Sequence, residues 1–159
     1  MDKLKGLLLP LALVFGAIAV FETGARYGAD NFRAQAIALE MQNPLNVYVA
    51  SKSKIDPSFK AQLEMSIDRQ IAAGSVHRQV WYLSKESKAV LNKALTYALS
   101  VRGNATLARF EATTSAESKI PQADLDRIIA AIKDAKTDLI DNAPSVADQD
   151  AAADHTADK

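Results

Sequence analysis

Residues 6–28 read GLLLPLALVFGAIAVFETGARYG and contain the longest apolar run of the chain. Eleven Leu, Ile, Val or Phe residues lie within residues 4–21. Such residues contribute roughly −3 to −7 kcal/mol in total to membrane insertion, before the cost of the polar and helix-breaking positions. As a helix, this run would span about 27 Å, close to the ~30 Å of a bilayer core. The sequence therefore predicts residues 1–21 as a transmembrane anchor, with the lipid bilayer contacting residues 4–21.

The same run also fits a cleavable secretory signal. Lys3 and Lys5 provide the basic start, and Ala17-Ile18-Ala19 is a small-x-small cleavage site. Cleavage after Ala19 would release an exported soluble protein. We favour the uncut anchor, because the helical pattern continues directly beyond the apolar run. A short basic N-terminus usually stays cytoplasmic, which predicts an extracytoplasmic C-terminal domain, periplasmic in a bacterium.

Beyond the apolar run, residues 22–43 are predicted to form a helical stalk. Phe21, Ala25, Gly28, Phe32 and Leu39 recur at spacings that place them on one helix face. The helix is expected to end at Gln42, because Asn43-Pro44 follows.

Small residues near this stalk suggest self-association. Gly24 and Gly28 form a G-x-x-x-G pair, and Gly16 lies eight residues before Gly24. Together with Phe32, they are the candidate residues for pairing of two such helices. The alternative is that the glycines only loosen the helix where it leaves the lipid.

The remaining chain predicts an all-α fold, because alanine is abundant and aromatic residues make up only 6%. We expect a linker over 44–56, a small irregular helical bundle over 57–142 and a disordered acidic tail over 143–159. Within the bundle, the expected elements are a helix capped by Asp56 and ended by Gly74, a helix from Ser84 to Gly103 and an amphipathic helix around Leu125, Ile128 and Ile132.

The zero net charge conceals a division along the chain. Residues 44–109 carry ten Lys or Arg against four Asp or Glu, whereas residues 110–159 carry five against eleven. The two segments either face each other, within or between chains, or are independent solvated surfaces. No net positive field remains to attract nucleic acid.

One short segment is dense in side chains that can bind a partner: His77, Arg78, Trp81, Tyr82 and Lys85. As a surface, it would receive a carboxylate, an acidic segment or an anionic lipid head group. Alternatively, the single Trp is a core or hinge residue with His77 packed beside it. A catalytic triple of His77 with Ser75 or Ser84 is expected from chance alone in a chain so rich in Ser and Asp.

The chain has no Cys and only two His residues, which excludes disulfides, thiolate catalysis and common zinc sites. We predict no enzyme activity, no cofactor, no metal site and no small-molecule substrate. The expected function is a non-catalytic single-pass membrane protein whose helical domain binds a protein partner or a second copy. The alternative is an exported soluble protein that holds a peptide or anionic ligand near Trp81.

Overall fold

The computed structural model describes residues 2–51 and 55–142, with side chains from residue 13 onward. Its elements are α1 (Asp2–Ala50), α2 (Pro57–His77), α3 (Lys85–Ala112), α4 (Ser115–Ser118), α5 (Gln122–Lys136) and a π-helical turn (Thr137–Asp141). No strand occurs in these residues, and the all-α prediction is confirmed. The predicted tail over 143–159 lies outside the described residues.

Over the described residues, no helix combines the length and the apolar character that traversing a bilayer requires. The side chains of residues 1–12, which include the first half of the predicted anchor, are not described. The transmembrane anchor therefore stays a prediction.

α1 does not end at Gln42 but continues to Ala50, so the predicted linker over 44–56 shortens to the few residues before α2. Pro44 removes one backbone hydrogen bond, which normally disfavours a helix interior. Met41 and Leu45, on either side of Pro44, are nonetheless completely or almost completely buried. Their tertiary packing holds the helix together across the proline, which local sequence preference does not anticipate.

The predicted stalk also divides differently. Residues 21–29 are exposed, whereas the part of α1 from Asp30 onward belongs to the bundle, beginning with the Asp30 backbone oxygen, which lies 2.8 Å from His77 Nε2. Its buried apolar residues are Ala34, Ile37, Ala38, Met41 and Leu45. The stripe predicted from Phe21 to Leu39 lies on another face, since the Phe32 side chain is 74% exposed. The folded domain therefore includes residues 30–50 in addition to the predicted 57–142.

Both predicted N-caps are confirmed, but both glycine helix ends are wrong. Asp56 accepts hydrogen bonds from the Ser58 hydroxyl and from the backbone N–H groups of Ser58 and Phe59, and these bonds lower the pKa of Asp56. Ser84 caps α3 by accepting from the Ser87 N–H. Helix α2 continues beyond Gly74 and α3 beyond Gly103, because these glycines lie at helix contacts rather than at turns.

The helices form an up-and-down bundle. α1 and α5 each pack against both α2 and α3, which also pack against each other. Ile67 and Ile71 of α2, Leu91 and Leu95 of α3 and Ile132 of α5 are completely buried at these contacts. α4 is a single turn that joins α3 to α5.

The two helix glycines give a paired stability prediction. A Cβ at Gly103 would meet Leu99 Cδ2 at 3.4 Å, an ordinary contact. Because Ala favours a helix over Gly by about 1 kcal/mol, Gly103→Ala should raise the free energy of unfolding by a comparable amount. A Cβ at Gly74 would meet Leu95 Cδ2 at 3.1 Å, so crowding should offset the same gain there. Thermal unfolding of both variants checks this, and an equal gain from Gly74→Ala would contradict it.

Candidate functional site

A buried ionic cluster joins the centres of α2 and α3. Arg102 binds the Asp68 carboxylate with two nitrogens, Nε to Oδ1 at 3.0 Å and Nη2 to Oδ2 at 3.1 Å. Thr106 donates its hydroxyl hydrogen to Asp68 Oδ1 at 2.6 Å, and Arg109 Nη1 lies 2.6 Å from Oδ2. The Asp68 side chain is only 3% exposed. This carboxylate is therefore fully engaged by neighbours of its own chain.

A second carboxylate extends the ionic cluster to α1. Arg102 Nη1 lies 3.0 Å from Glu64 Oε1, and Tyr48 OH donates to the same oxygen at 3.2 Å. The Arg102 guanidinium also lies 5.4 Å from the centre of the Tyr48 ring. Burial lowers the pKa of Arg102, but its hydrogen bonds to Asp68 and Tyr48 and the nearby charges raise it by more. Because each charged group has a partner, the ionic cluster fits a structural role.

Sequence analysis did not identify this cluster. The available indication was helical spacing. Glu64 and Asp68 are four residues apart. In α3, Thr106 lies four residues after Arg102, and Arg109 lies three residues after Thr106. These spacings place each set on one helix face. Only the packing of α2 against α3 brings the two sets together, and the same spacings occur on many exposed helices.

The five predicted partner-binding residues separate into two groups. His77 is buried and its Nε2 lies 2.8 Å from the backbone oxygen of Asp30, while Tyr82 donates a hydrogen bond to Asp30 Oδ2. Arg78 forms an ion pair with Asp138 at 3.1 Å. These three side chains hold the α2–α3 turn against α1 and against the π-helical turn that follows α5. Of the two serines in the catalytic hypothesis, Ser75 is completely buried and Ser84 caps α3.

Trp81 and Lys85 remain accessible. The Trp81 side chain is 90% exposed, so the interpretation of Trp81 as a core residue is wrong. Its ring meets the Tyr82 ring edge to face, with 5.3 Å between ring centres. Because a hydrogen bond to Asp30 holds the Tyr82 side chain in place, the α2–α3 turn presents Trp81 on a fixed support.

The Tyr82–Asp30 hydrogen bond gives a pH prediction. This bond, burial and the negative charge of Asp30 raise the pKa of Tyr82 above its ordinary value of 10. The bond therefore contributes stability below pH 10, and that contribution is lost as pH rises through the higher folded-state pKa. The Tyr82→Phe variant should lack this loss of stability at alkaline pH. In an absorbance titration of the tyrosines, it should also lack the component that ionises at the highest pH. Tyr97→Phe, at a partly exposed position of α3, should retain both; identical curves for the two variants would contradict the assignment.

The candidate self-association residues Gly16, Gly24, Gly28 and Phe32 lie at exposed positions along α1. A Cβ built at Gly16, Gly24 or Gly28 would meet nothing within 4 Å. Phe32 is also exposed. The structure thus leaves these four positions accessible, and self-association through them stays a prediction.

A groove of about 850 Å³ runs along α2. Apolar side chains from α2, α3, α5 and the segments that connect the helices line much of it: Met65, Ala72, Ala73, Val76, Val80, Phe110, Ile120, Leu125 and Ile128. Arg33, Arg69, Arg109 and Arg127 also contribute to the lining. Sequence analysis did not find the groove, because its walls come from separate segments.

The groove's charges are mostly positive, because four arginines line it together with two carboxylates, those of Asp68 and Glu117. Arg109 is engaged by Asp68 and Glu64, whereas Arg33, Arg69 and Arg127 form no ion pair with other described residues. The positively charged segment 44–109 forms few ion pairs with the negatively charged segment that follows it. In the described residues, Arg78–Asp138 is the ion pair that joins segment 44–109 to segment 110–142. Available arginines beside an apolar floor suit a ligand that combines apolar groups with carboxylates.

Comparison of the chain with protein-family models, with curated proteins and with solved structures finds no match.

Proposed function

We propose that this chain is a non-catalytic membrane-anchored protein whose helical bundle binds a protein partner outside the cytoplasm. One observation carries the proposal: α1 is a single 49-residue helix that includes the apolar run and ends inside the bundle. Its exposed large apolar side chains in the run are Leu13, Val14, Phe15, Ile18, Val20 and Phe21. Since successive helix residues are about 100° apart, these side chains surround the helix.

Such a surface is costly in water. Soluble monomers rarely expose contiguous apolar patches larger than a few hundred Å². A bilayer would cover this segment on all sides, and Lys3 and Lys5 would reach the head groups at its start. Because the same helix supplies the core of the bundle, membrane and bundle would be joined without a flexible linker.

The groove along α2 is the proposed partner site. Its apolar floor and three available arginines, Arg33, Arg69 and Arg127, favour an amphipathic helical segment with carboxylates beside its apolar face. This chemistry also fits the expected class of function, a structural or interaction component, because no reaction is needed to use such a surface.

Membrane extraction tests the anchor. We expect the full-length protein to stay in the pellet after carbonate treatment, with an intact N-terminus. Leu13→Lys lies in the middle of the run and should cost about 3 kcal/mol of insertion, moving much of the protein to the soluble fraction. Thr23→Lys lies beyond the run and should have little effect. A soluble species beginning at Val20 would contradict the anchor.

Peptide binding tests the groove. The probes are two synthetic amphipathic helices with the same leucine face, one flanked by glutamates and one by lysines. We expect the glutamate peptide to bind more tightly, and Arg69→Glu with Arg127→Glu to weaken it about tenfold, because each reversal turns attraction into repulsion. Lys93→Glu, outside the groove, is the control. Equal binding of both peptides would contradict the proposed chemistry.

The exposed Trp81 favours a second candidate, an exported soluble protein cleaved after Ala19 that holds a peptide or anionic ligand near Trp81. Under this alternative, ligand would shift Trp81 fluorescence in a membrane-free preparation. The N-terminal sequence of the mature protein separates the two candidates.

A further inference from the structure

The contacts of α1 establish which end of the bundle lies nearest to the apolar run. His77 Nε2 contacts the Asp30 backbone oxygen at 2.8 Å, and the Ser84 N–H donates to Asn31 Oδ1 at 2.8 Å. The α2–α3 turn is therefore level with Asp30 and Asn31. Asp30 follows Phe21 by nine residues, or about 14 Å along the helix axis. The opposite end, near Tyr48, is about 27 Å farther along α1.

This separation of about 14 Å exceeds the depth of the head-group region by only about 6–9 Å. The polar head-group region extends about 5–8 Å beyond the hydrocarbon core. A transmembrane helix tilts by about 20° on average. The α2–α3 turn lies one interhelical distance of about 8–10 Å from the axis of α1, so a tilt toward its side lowers it by about 3 Å toward the membrane. The remaining gap is only a few Å, and a side chain that projects from the turn can close it.

Trp81 is the side chain that projects. It is 90% exposed, although burying an aromatic ring is normally favourable. The side chain of Tyr82 supports its ring and is itself hydrogen-bonded to α1. An aromatic ring that is held outward at this end of the bundle is suited to a partner located at that end.

The surroundings of Trp81 resemble a membrane interface in composition. Tyr27 of α1 is partly exposed between Phe21 and the turn, and Lys85 and Lys88 at the start of α3 are exposed. Neither lysine forms an ion pair within the described residues. Trp and Tyr are enriched where proteins cross the head-group region, and nearby Lys side chains can reach lipid phosphates.

We propose that Trp81 inserts into the head-group region of the same bilayer that holds α1, so that the bundle contacts the membrane at two points. The proposal rests on the membrane anchor of the proposed function. A second contact would restrict rotation and tilting of the bundle, and it would hold the groove along α2 at a constant height above the lipid.

The sole Trp of the chain is the probe. Full-length protein is reconstituted into phosphatidylcholine–phosphatidylglycerol vesicles and floated on a density gradient. We expect the fluorescence emission of Trp81 in the vesicles to lie at a shorter wavelength than the emission of a Trp side chain that is exposed to detergent-free buffer. We also expect lipids that carry a quencher near the head group to quench it more strongly than lipids with a quencher at the chain end. The matched control is Trp81→Phe with Tyr97→Trp, which moves the Trp about 20 Å along α3 from the turn.

The outcomes separate the two proposals. Failure of the protein to float with the vesicles would overturn the anchor and this inference with it. Flotation with an unquenched, solvent-like Trp81 would overturn the membrane contact alone. Equal quenching in the control variant would also overturn it, because the bundle would then lie along the surface. A shift that depends on protein concentration rather than on lipid would assign Trp81 to self-association instead.

Discussion

Replacing Asp68 by Ala is expected to lower the free energy of unfolding by about 3–5 kcal/mol. The change removes the carboxylate that Arg102 binds with two nitrogens and leaves its guanidinium buried, with a side chain only 6% exposed. The Thr106 hydroxyl also loses its acceptor. Since whole domains are stable by only about 5–15 kcal/mol, this variant should be close to unfolding at ordinary temperature. Chemical denaturation monitored by circular dichroism measures the loss.

Two variants control for this result. Asp126→Ala removes an exposed carboxylate from α5 and should change stability by less than about 0.5 kcal/mol. Asp68→Asn retains the shape of the side chain but not its charge, and should fall between the two. If Asp68→Ala cost no more than Asp126→Ala, the ionic cluster would not be a stabilising centre of the fold.

The second large effect is expected from truncating α1 at two points. Removing residues 1–29 should leave a cooperatively folded bundle, because the described side chains in 13–29 are exposed. Removing residues 1–50 should abolish cooperative unfolding, because it deletes the buried apolar residues that α1 supplies. A buried large side chain contributes about 2–5 kcal/mol when cut to Ala, so losing several exceeds the stability of most domains. Far-UV circular dichroism and thermal unfolding distinguish the two fragments.

Point variants test the same idea in the full chain. Met41→Ala removes a completely buried side chain and should cost about 2–5 kcal/mol, whereas Leu39→Ala removes one that is 62% exposed and should cost much less. A folded fragment lacking residues 1–50, or equal losses for Met41 and Leu39, would show that α1 is a stalk outside the core. The domain would then begin at residue 57, as the sequence predicts.

Local patterns were informative where a helix begins or where one strong apolar face exists. Asp56 and Ser84 cap helices as predicted, and Ile67, Ile71 and Ile132 are buried. Helix ends were predicted poorly. Pro44, Gly74 and Gly103 each indicate an end in isolation, but packing against neighbouring helices outweighs their unfavourable local preference.

The candidate site shows the same limit. Composition and position identified the segment from His77 to Lys85 as unusual, but could not separate its buried members from the exposed Trp81. That separation depends on Asp30 of α1, which is far away in sequence and accepts the contacts of His77 and Tyr82. The groove along α2 was unpredictable for the same reason, since its lining combines residues from distant segments.

The sequence by itself determined the all-helical class, the apolar leading run and the N-caps, because these follow from propensities, charge and hydrogen bonds within a few residues. The tertiary structure decided that α1 passes through Pro44 into the core, that Asp68 and Arg102 meet, and that Trp81 faces outward. Each of these depends on which helix faces another, and burial energies of several kcal/mol at those contacts exceed local preferences of about 1–3 kcal/mol.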